Sequence, residues 1–298
     1  MISESWYPIH YFRVSFGKSD SIFQQSIVLK DTLDISKGAS KEDIKKTIID
    51  NLNNREIKKA INVFTLNVPY RFLHPWIPTS DNKQMELRSK TFENDCLYSI
   101  QGKEISINPK WVDYLNDNYQ ILRDFSFWNL GVFLQKRNPN IPDLTSKLIR
   151  PIQRDSLLQQ HKLWNLFLQE QTDFSCIYTG LPIESASYDL DHFIPWSFVC
   201  HNQLWNLIPA DSSINSSKSD KLPNLDVLLE PFSQKQHDFI KFIYRLKPNE
   251  KLLEDYLTIN DSISDLVAMD NNDFLQAYKR TILPLEQIAY NMGFSYWI

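Results

Sequence analysis

The segment Tyr188–Lys218, YDLDHFIPWSFVCHNQLWNLIPADSSINSSK, constrains this chain more than any other stretch. Tyr-Asp-Leu-Asp-His alternates polar and apolar residues over the length of a short strand, and it ends on adjacent Asp191 and His192. A loop of Pro, Trp and Ser follows. LWNLIP is a second strand-like apolar segment with Asn206 inside it. Asp211 stands where it can cap a short helix carrying Asn215, with Lys218 one turn later on nearly the same face. Two short strands and a helix thus bring an imidazole, carboxylates, amides and an ammonium group into one small unit.

That inventory suits phosphodiester hydrolysis, which needs a group to activate water and a cation to stabilise charge on the phosphate and the leaving oxygen. Neutral imidazole is the best side-chain base near neutral pH. A hard cation takes oxygen ligands, here a carboxylate and an amide carbonyl. One demand is geometric. Neighbours on a strand point to opposite faces, so Asp191 and His192 diverge unless a bend or the strand end turns both toward one phosphate.

The stretch Cys176–Pro223 resembles the ββα-metal core of the HNH nuclease family, which also occurs inside CRISPR effector nucleases. The likeness rests on several features besides Asp191-His192: Asp189 two residues earlier, Pro and Ser after the His, Asn206 in the second strand, Asn215 on the helix, and Lys218-Ser219-Asp220 beyond it. It implies that His192 is the general base and that Asp191 and Asn215 are metal ligands. It further implies that Asn206 holds the loop or orients His192, and that Lys218 contacts phosphate. Asp189 stays open between a partner behind the site and a solvated strand residue. Many HNH proteins staple this fold with two Cys-x-x-Cys pairs around zinc. Here the first knuckle reads Cys176-Ile-Tyr-Thr179, and Cys200 has no partner at suitable spacing, so no structural zinc is expected. Packing by Tyr178, Trp196 and Trp205 is expected in its place. An Asn at position 215 favours Mg2+ (or Mn2+) over a softer metal.

Outside this stretch the reading is coarser. Residues 6–30 alternate and predict one or two strands. Residues 40–60 predict a helix capped by Ser40, with Ile44, Ile48, Ile49 and Leu52 at helical spacing. Val68–Pro78 reads as a rigid buried connection, residues 79–95 as loop, and CLYSI with KEISI as a hairpin. Helices are expected from Pro109 to Arg137, across 154–171, and over 231–246 and 272–292, with the apolar tail GFSYWI docked. Phe125, Trp128 and Phe133 read as core. Lys136, Arg137, Lys147, Arg150 and Arg154 face the single acid Asp143, which suggests contact with a DNA backbone.

The net charge of −4 does not exclude this, since phosphate contacts need only a local basic patch. Three cysteines, odd in number and irregular in spacing, point to a reducing compartment. Neither a secretory leader nor a run of ~20 apolar residues is visible, so a cytoplasmic protein without membrane contact is expected. The expected fold is α+β. Residues 1–150 form a mixed domain of unassigned role that binds DNA or a partner, and 151–298 form a helical domain enclosing the HNH core 176–223. The expected reaction is metal-dependent hydrolysis of DNA, in restriction or phage defence. Two alternatives stay beside it: RNA as substrate, or an effector regulated by a partner protein that binds the N-terminal half.

Overall fold

A computed structural model describes residues 2–17, 20–102, 104–148, 155–171, 173–183 and 187–297. The fold is α+β: mostly helical, with two small two-stranded sheets. The chain divides into two compact units, Met1–Pro139 with Lys147–Arg150, and Asn140–Ser146 with Pro151–Ile298. No helix among the described residues is long and apolar enough to cross a membrane.

The first unit contains α1 (Ile2–His10), α2 (Ser21–Leu33), α3 (Lys41–Asp50), α4 (Arg55–Thr65), α5 (Val68–Phe72), α6 (Asn82–Ser89), β1 (Tyr98–Gln101), β2 (Glu104–Ile107), α7 (Pro109–Asp117) and α8 (Tyr119–Arg137). Residues 6–30 are therefore a correction: they hold helices where strands were expected. Ile2, Trp6 and Ile9 fall at helical spacing and are buried, and Asp20 caps α2 by accepting from the Ile22 amide. The alternation that suggested a strand is real between Phe12 and Phe16, since Phe12, Val14 and Phe16 are all buried. Yet this extended run pairs with no strand. Asn138 satisfies it instead, accepting from the Ser15 amide at 2.9 Å and donating to the Ser15 carbonyl at 2.8 Å.

Ser40 caps α3 as expected, but the helix ends at Asp50, and Ile49 and Leu52 are exposed. Residues 79–95 are not a plain loop, because Asp81 caps α6, which buries Met85 and Ser89. The β1–β2 hairpin is as read, antiparallel with Tyr98 opposite Ile107. Val68–Pro78 buries Leu73 and Ile77 but leaves Val68 and Phe72 exposed. Phe125, Trp128 and Phe133 are also a correction, being exposed on α8 rather than core.

The second unit contains α9 (Leu158–Glu170), β3 (Asp189–His192), α10 (Trp196–Val199), β4 (Leu207–Ala210), α11 (Ser212–Lys218), α12 (Leu225–Leu246), α13 (Ile263–Ala268) and α14 (Asn271–Asn291). Its core is one continuous cluster. Trp164 of α9 stacks on Phe239 of α12, and Phe193 stacks on Phe232, each pair with ring centroids 3.9 Å apart. β4 is fixed from behind: Gln236 donates to the Leu207 carbonyl at 2.7 Å and accepts from the Tyr256 hydroxyl at 2.5 Å. The C-terminal tail docks as expected, with Leu222 donating to Ser295 and Trp297 donating to Leu222.

Candidate functional site

β3 and β4 pair antiparallel, Asp189 opposite Ala210 and His192 opposite Leu207, and α11 packs on β3. Leu190, Leu207 and Ile208 are buried and seat the pair on the core. Asp211 starts α11 by accepting from the amides of Ser213 and Ile214, and the Ser213 hydroxyl, then these amide bonds, hold its carboxyl below the usual range. Asn215 and Lys218, about one turn apart, both meet β3. The Asn215 side-chain amide donates to Asp189 Oδ2 at 3.2 Å. Lys218 Nζ lies 3.1 and 3.0 Å from the two Asp191 oxygens and donates to the His192 carbonyl at 2.6 Å. Tyr178 donates its hydroxyl to Asp191 Oδ2 at 2.5 Å.

Asp191 and Lys218 are thus an internal ion pair, 2% and 0% exposed. Burial pushes the Asp191 carboxyl up, against the pull of Lys218 and the Tyr178 bond. Burial, then the charge of Asp191, raises the Tyr178 hydroxyl well above its ordinary value. Two expected roles fall on this pair. Lys218 has no exposed surface with which to meet a phosphate. Asp191 has both oxygens engaged, by Lys218 and by Tyr178. Asn215 turns its amide nitrogen to Asp189 rather than to Asp191. Among the described residues no cluster of three or more His, Cys, Asp or Glu could hold a metal ion.

His192 lies at the strand end and is half-buried. Its Nε2 is 3.0 Å from Asn202 Oδ1. An amide oxygen only accepts, so Nε2 donates in this contact. The Asn202 amide is itself oriented, donating through Nδ2 to the Asp155 carbonyl at 3.3 Å. Gln160 reaches the Asn202 backbone carbonyl at 3.0 Å. No sequence signal marks Asn202 as a partner of His192. It sits in the stretch between the strands, whose polar residues show no spacing signal.

Asn206 is fully buried and holds the loop after His192. It accepts from the Ile194 amide at 2.8 Å and donates to the Ile194 carbonyl at 2.9 Å, while its own carbonyl takes the Phe193 amide. The Cys176 turn is closed by backbone bonds, Cys176 to Leu181 and Gly180 to Cys176, both 2.8 Å. Gly180 sits at φ +71, where a side chain would be strained. Tyr178 packs edge-on against Trp297, 5.5 Å between centroids, and Trp205 is buried beside His201.

The basic stripe does not assemble as expected. Lys136 and Arg137 are exposed in the last turn of α8, with Arg137 3.7 Å over the Phe133 ring. Lys147 is a correction: it is fully buried, 6.0 Å from the Phe12 ring centre, and offers nothing to a phosphate backbone. Arg150 and Arg154 lie outside the described residues.

Residues 176–224 match the HNH endonuclease family. This stretch is an HNH endonuclease domain. The chain is also similar to two CRISPR-associated endonucleases Cas9. With that of Streptococcus mutans serotype c it shares 35% identity over 211 residues, 64% of this chain and 15% of the relative. With that of Listeria innocua serovar 6a it shares 29% over 139 residues, 46% and 10%. The chain therefore spans only about a tenth to a seventh of the relatives' length. No solved structure matches. The HNH domain contains Tyr178, Asp189, Asp191, His192, Asn202, Asn206, Asn215 and Lys218, so every contact made by the His192 and Asp191 side chains described above falls within it.

Proposed function

We propose that this chain is a metal-dependent endonuclease that hydrolyses phosphodiester bonds in DNA, with His192 as general base and the β3–β4–α11 unit as its ββα-metal core. The observation that carries the reading is the His192–Asn202 hydrogen bond inside the HNH domain. It supports a neutral imidazole that donates through Nε2 and takes a proton at Nδ1. Water gives that proton to Nδ1 as its oxygen bonds to phosphorus. The bond to the 3′ oxygen then breaks, and solvent protonates the departing oxygen. A 5′-phosphate remains. Asn206 keeps the loop from swinging His192 away, and Lys218 pins the His192 carbonyl. The expected cellular setting is the cytoplasm, in restriction or phage defence.

The test is plasmid cleavage with Mg2+, Mn2+ or EDTA. We expect cleavage with either ion and none with EDTA. His192→Ala should lose about 10²–10⁴ in rate while remaining folded by circular dichroism. Full activity in that variant overturns the mechanism. The rate should climb with pH as the imidazole gives up its proton. RNA digested in preference to duplex DNA would replace the substrate.

One observation favours a second reading. Asp191 is locked to Lys218 and Tyr178, as a site that stays silent until a partner opens it would be. A chain that cuts nothing alone but cuts once a partner protein is added would establish this version.

A further inference from the structure

α8 is apolar on two opposite faces. On one, Leu122, Phe127, Leu130 and Leu134 turn inward, and the first three line an apolar cavity of about 630 Å³ with Ser5 and Pro8 of α1. On the other, Ile121, Phe125, Trp128 and Val132 are exposed by 70%, 66%, 68% and 44%. Their 4-3-4 spacing places them within ~60° of arc at 100° per residue, the spacing of a seam that packs against another helix. A helix apolar all round is one that is covered on both sides. Exposed singly, such residues need no explanation, but a contiguous stripe marks an interaction surface.

We infer that this stripe is a two-fold interface with a second copy of this chain, α8 against α8 in antiparallel. The side chains are self-complementary under that operation. A two-fold axis midway along the seam sets Phe125 against Trp128 of the partner subunit, and Ile121 against Val132 of the partner subunit, so aromatic meets aromatic and aliphatic meets aliphatic. Both pairs are repeated by symmetry, as an isologous contact requires. The flanking positions are Leu122, Asp124, Asn129 and Gly131. The single charge, Asp124, falls across from Gly131 of the partner subunit, so no like charges meet. The four residues expose on the order of 600 Å² per chain, ~1,200 Å² for two, which is the lower edge of a specific interface.

The test is sedimentation of the full chain across about 1 to 100 µM, the range in which an interface of that size associates. We expect a monomer–dimer equilibrium that Trp128→Glu abolishes, with at least a tenfold weaker association, at unchanged helical circular dichroism. Val227→Glu, on an exposed site of α12, should leave the dimer intact. Val132→Cys should cross-link to Ile121→Cys when the two variants are mixed. A wild-type chain that stays monomeric at the highest concentration overturns the proposal and assigns the stripe to another protein. A dimer that survives Trp128→Glu overturns it equally.

Discussion

The two units spend their aromatic residues differently. In the second, Trp164, Phe167, Phe193, Phe198, Trp205, Phe232, Phe239, Phe274 and Tyr278 all lie in one cluster. In the first, the core is split into smaller patches, one around Trp6 and Leu29 and another around Leu73 and Tyr98. α7 buries no residue, and α8 buries only Gly131 and Leu134. The second unit therefore has the packing to carry costly polar devices inside it. A buried ion pair is one such device, and a rigid scaffold is what a reacting site requires. The first unit leaves apolar surface exposed on α8.

The sharpest way to break that contrast is to open the buried pair. Removing one partner of a buried ion pair leaves an uncompensated charge and costs about 3–5 kcal/mol. Lys218→Met should destabilise the second unit by that amount in urea unfolding and leave the first unit's transition in place. Asp191→Leu together with Lys218→Met should recover most of the loss, because an apolar pair of similar volume is often neutral. If Lys218 instead served a phosphate, Lys218→Met would leave stability unchanged and weaken only DNA binding.

The HNH segment was legible because its chemistry is local: strand alternation, an Asp cap and one helical turn set Asp189, Asp191, Asn215 and Lys218 on facing elements. The loop-holding place of Asn206 was legible too, but which way Lys218 turns was not. Lys218 could turn outward to a phosphate or inward to Asp191, and spacing does not separate the two. Tyr178 reaches Asp191 from a turn 13 positions earlier, and only the fold brings it there. In the first unit, the alternation of Phe12, Val14 and Phe16 correctly reported burial. It misreported pairing, because the ladder partner is the side chain of Asn138, over a hundred residues away. α8 misled in the opposite way. Its aromatic spacing is that of a packed helix, yet Phe125, Trp128 and Phe133 are exposed.

A second, smaller effect separates the units by pH. His10 in α1 is held at about 4, below 6.5, chiefly by burial and then by the charge of Lys30. Its Nε2 has no hydrogen-bond partner. The folded state thus keeps the imidazole neutral, while the unfolded chain binds a proton below about 6.5. The unfolded state binds more protons in that window, so stability falls as pH drops from 6.5 toward 4. Thermal melts should show the first unit's transition moving down by several degrees over that range. His10→Phe should flatten the slope in the first unit only. A slope unchanged in the variant would place the acid sensitivity elsewhere.

The smallest effect compares two helix caps. Ser40 accepts from the Asp43 amide at 3.0 Å and donates to the Asp43 carboxylate at 2.7 Å at the start of α3. Ser40→Ala should cost about 1 kcal/mol, read as a small shift of the first unit's midpoint with no change in DNA cleavage. Asp211 does the same work for α11, but α11 also carries the two residues that engage Asp189 and Asp191. Asp211→Asn keeps an acceptor for the Ser213 and Ile214 amides and should be nearly silent. Asp211→Ala frees the first turn of a seven-residue helix, and the disturbance should appear in cleavage rate before it appears in the melt. If Ser40→Ala and Asp211→Ala behave alike, with stability changed and cleavage untouched, then α11 is scaffold alone, and the division of labour between the units must be drawn without it.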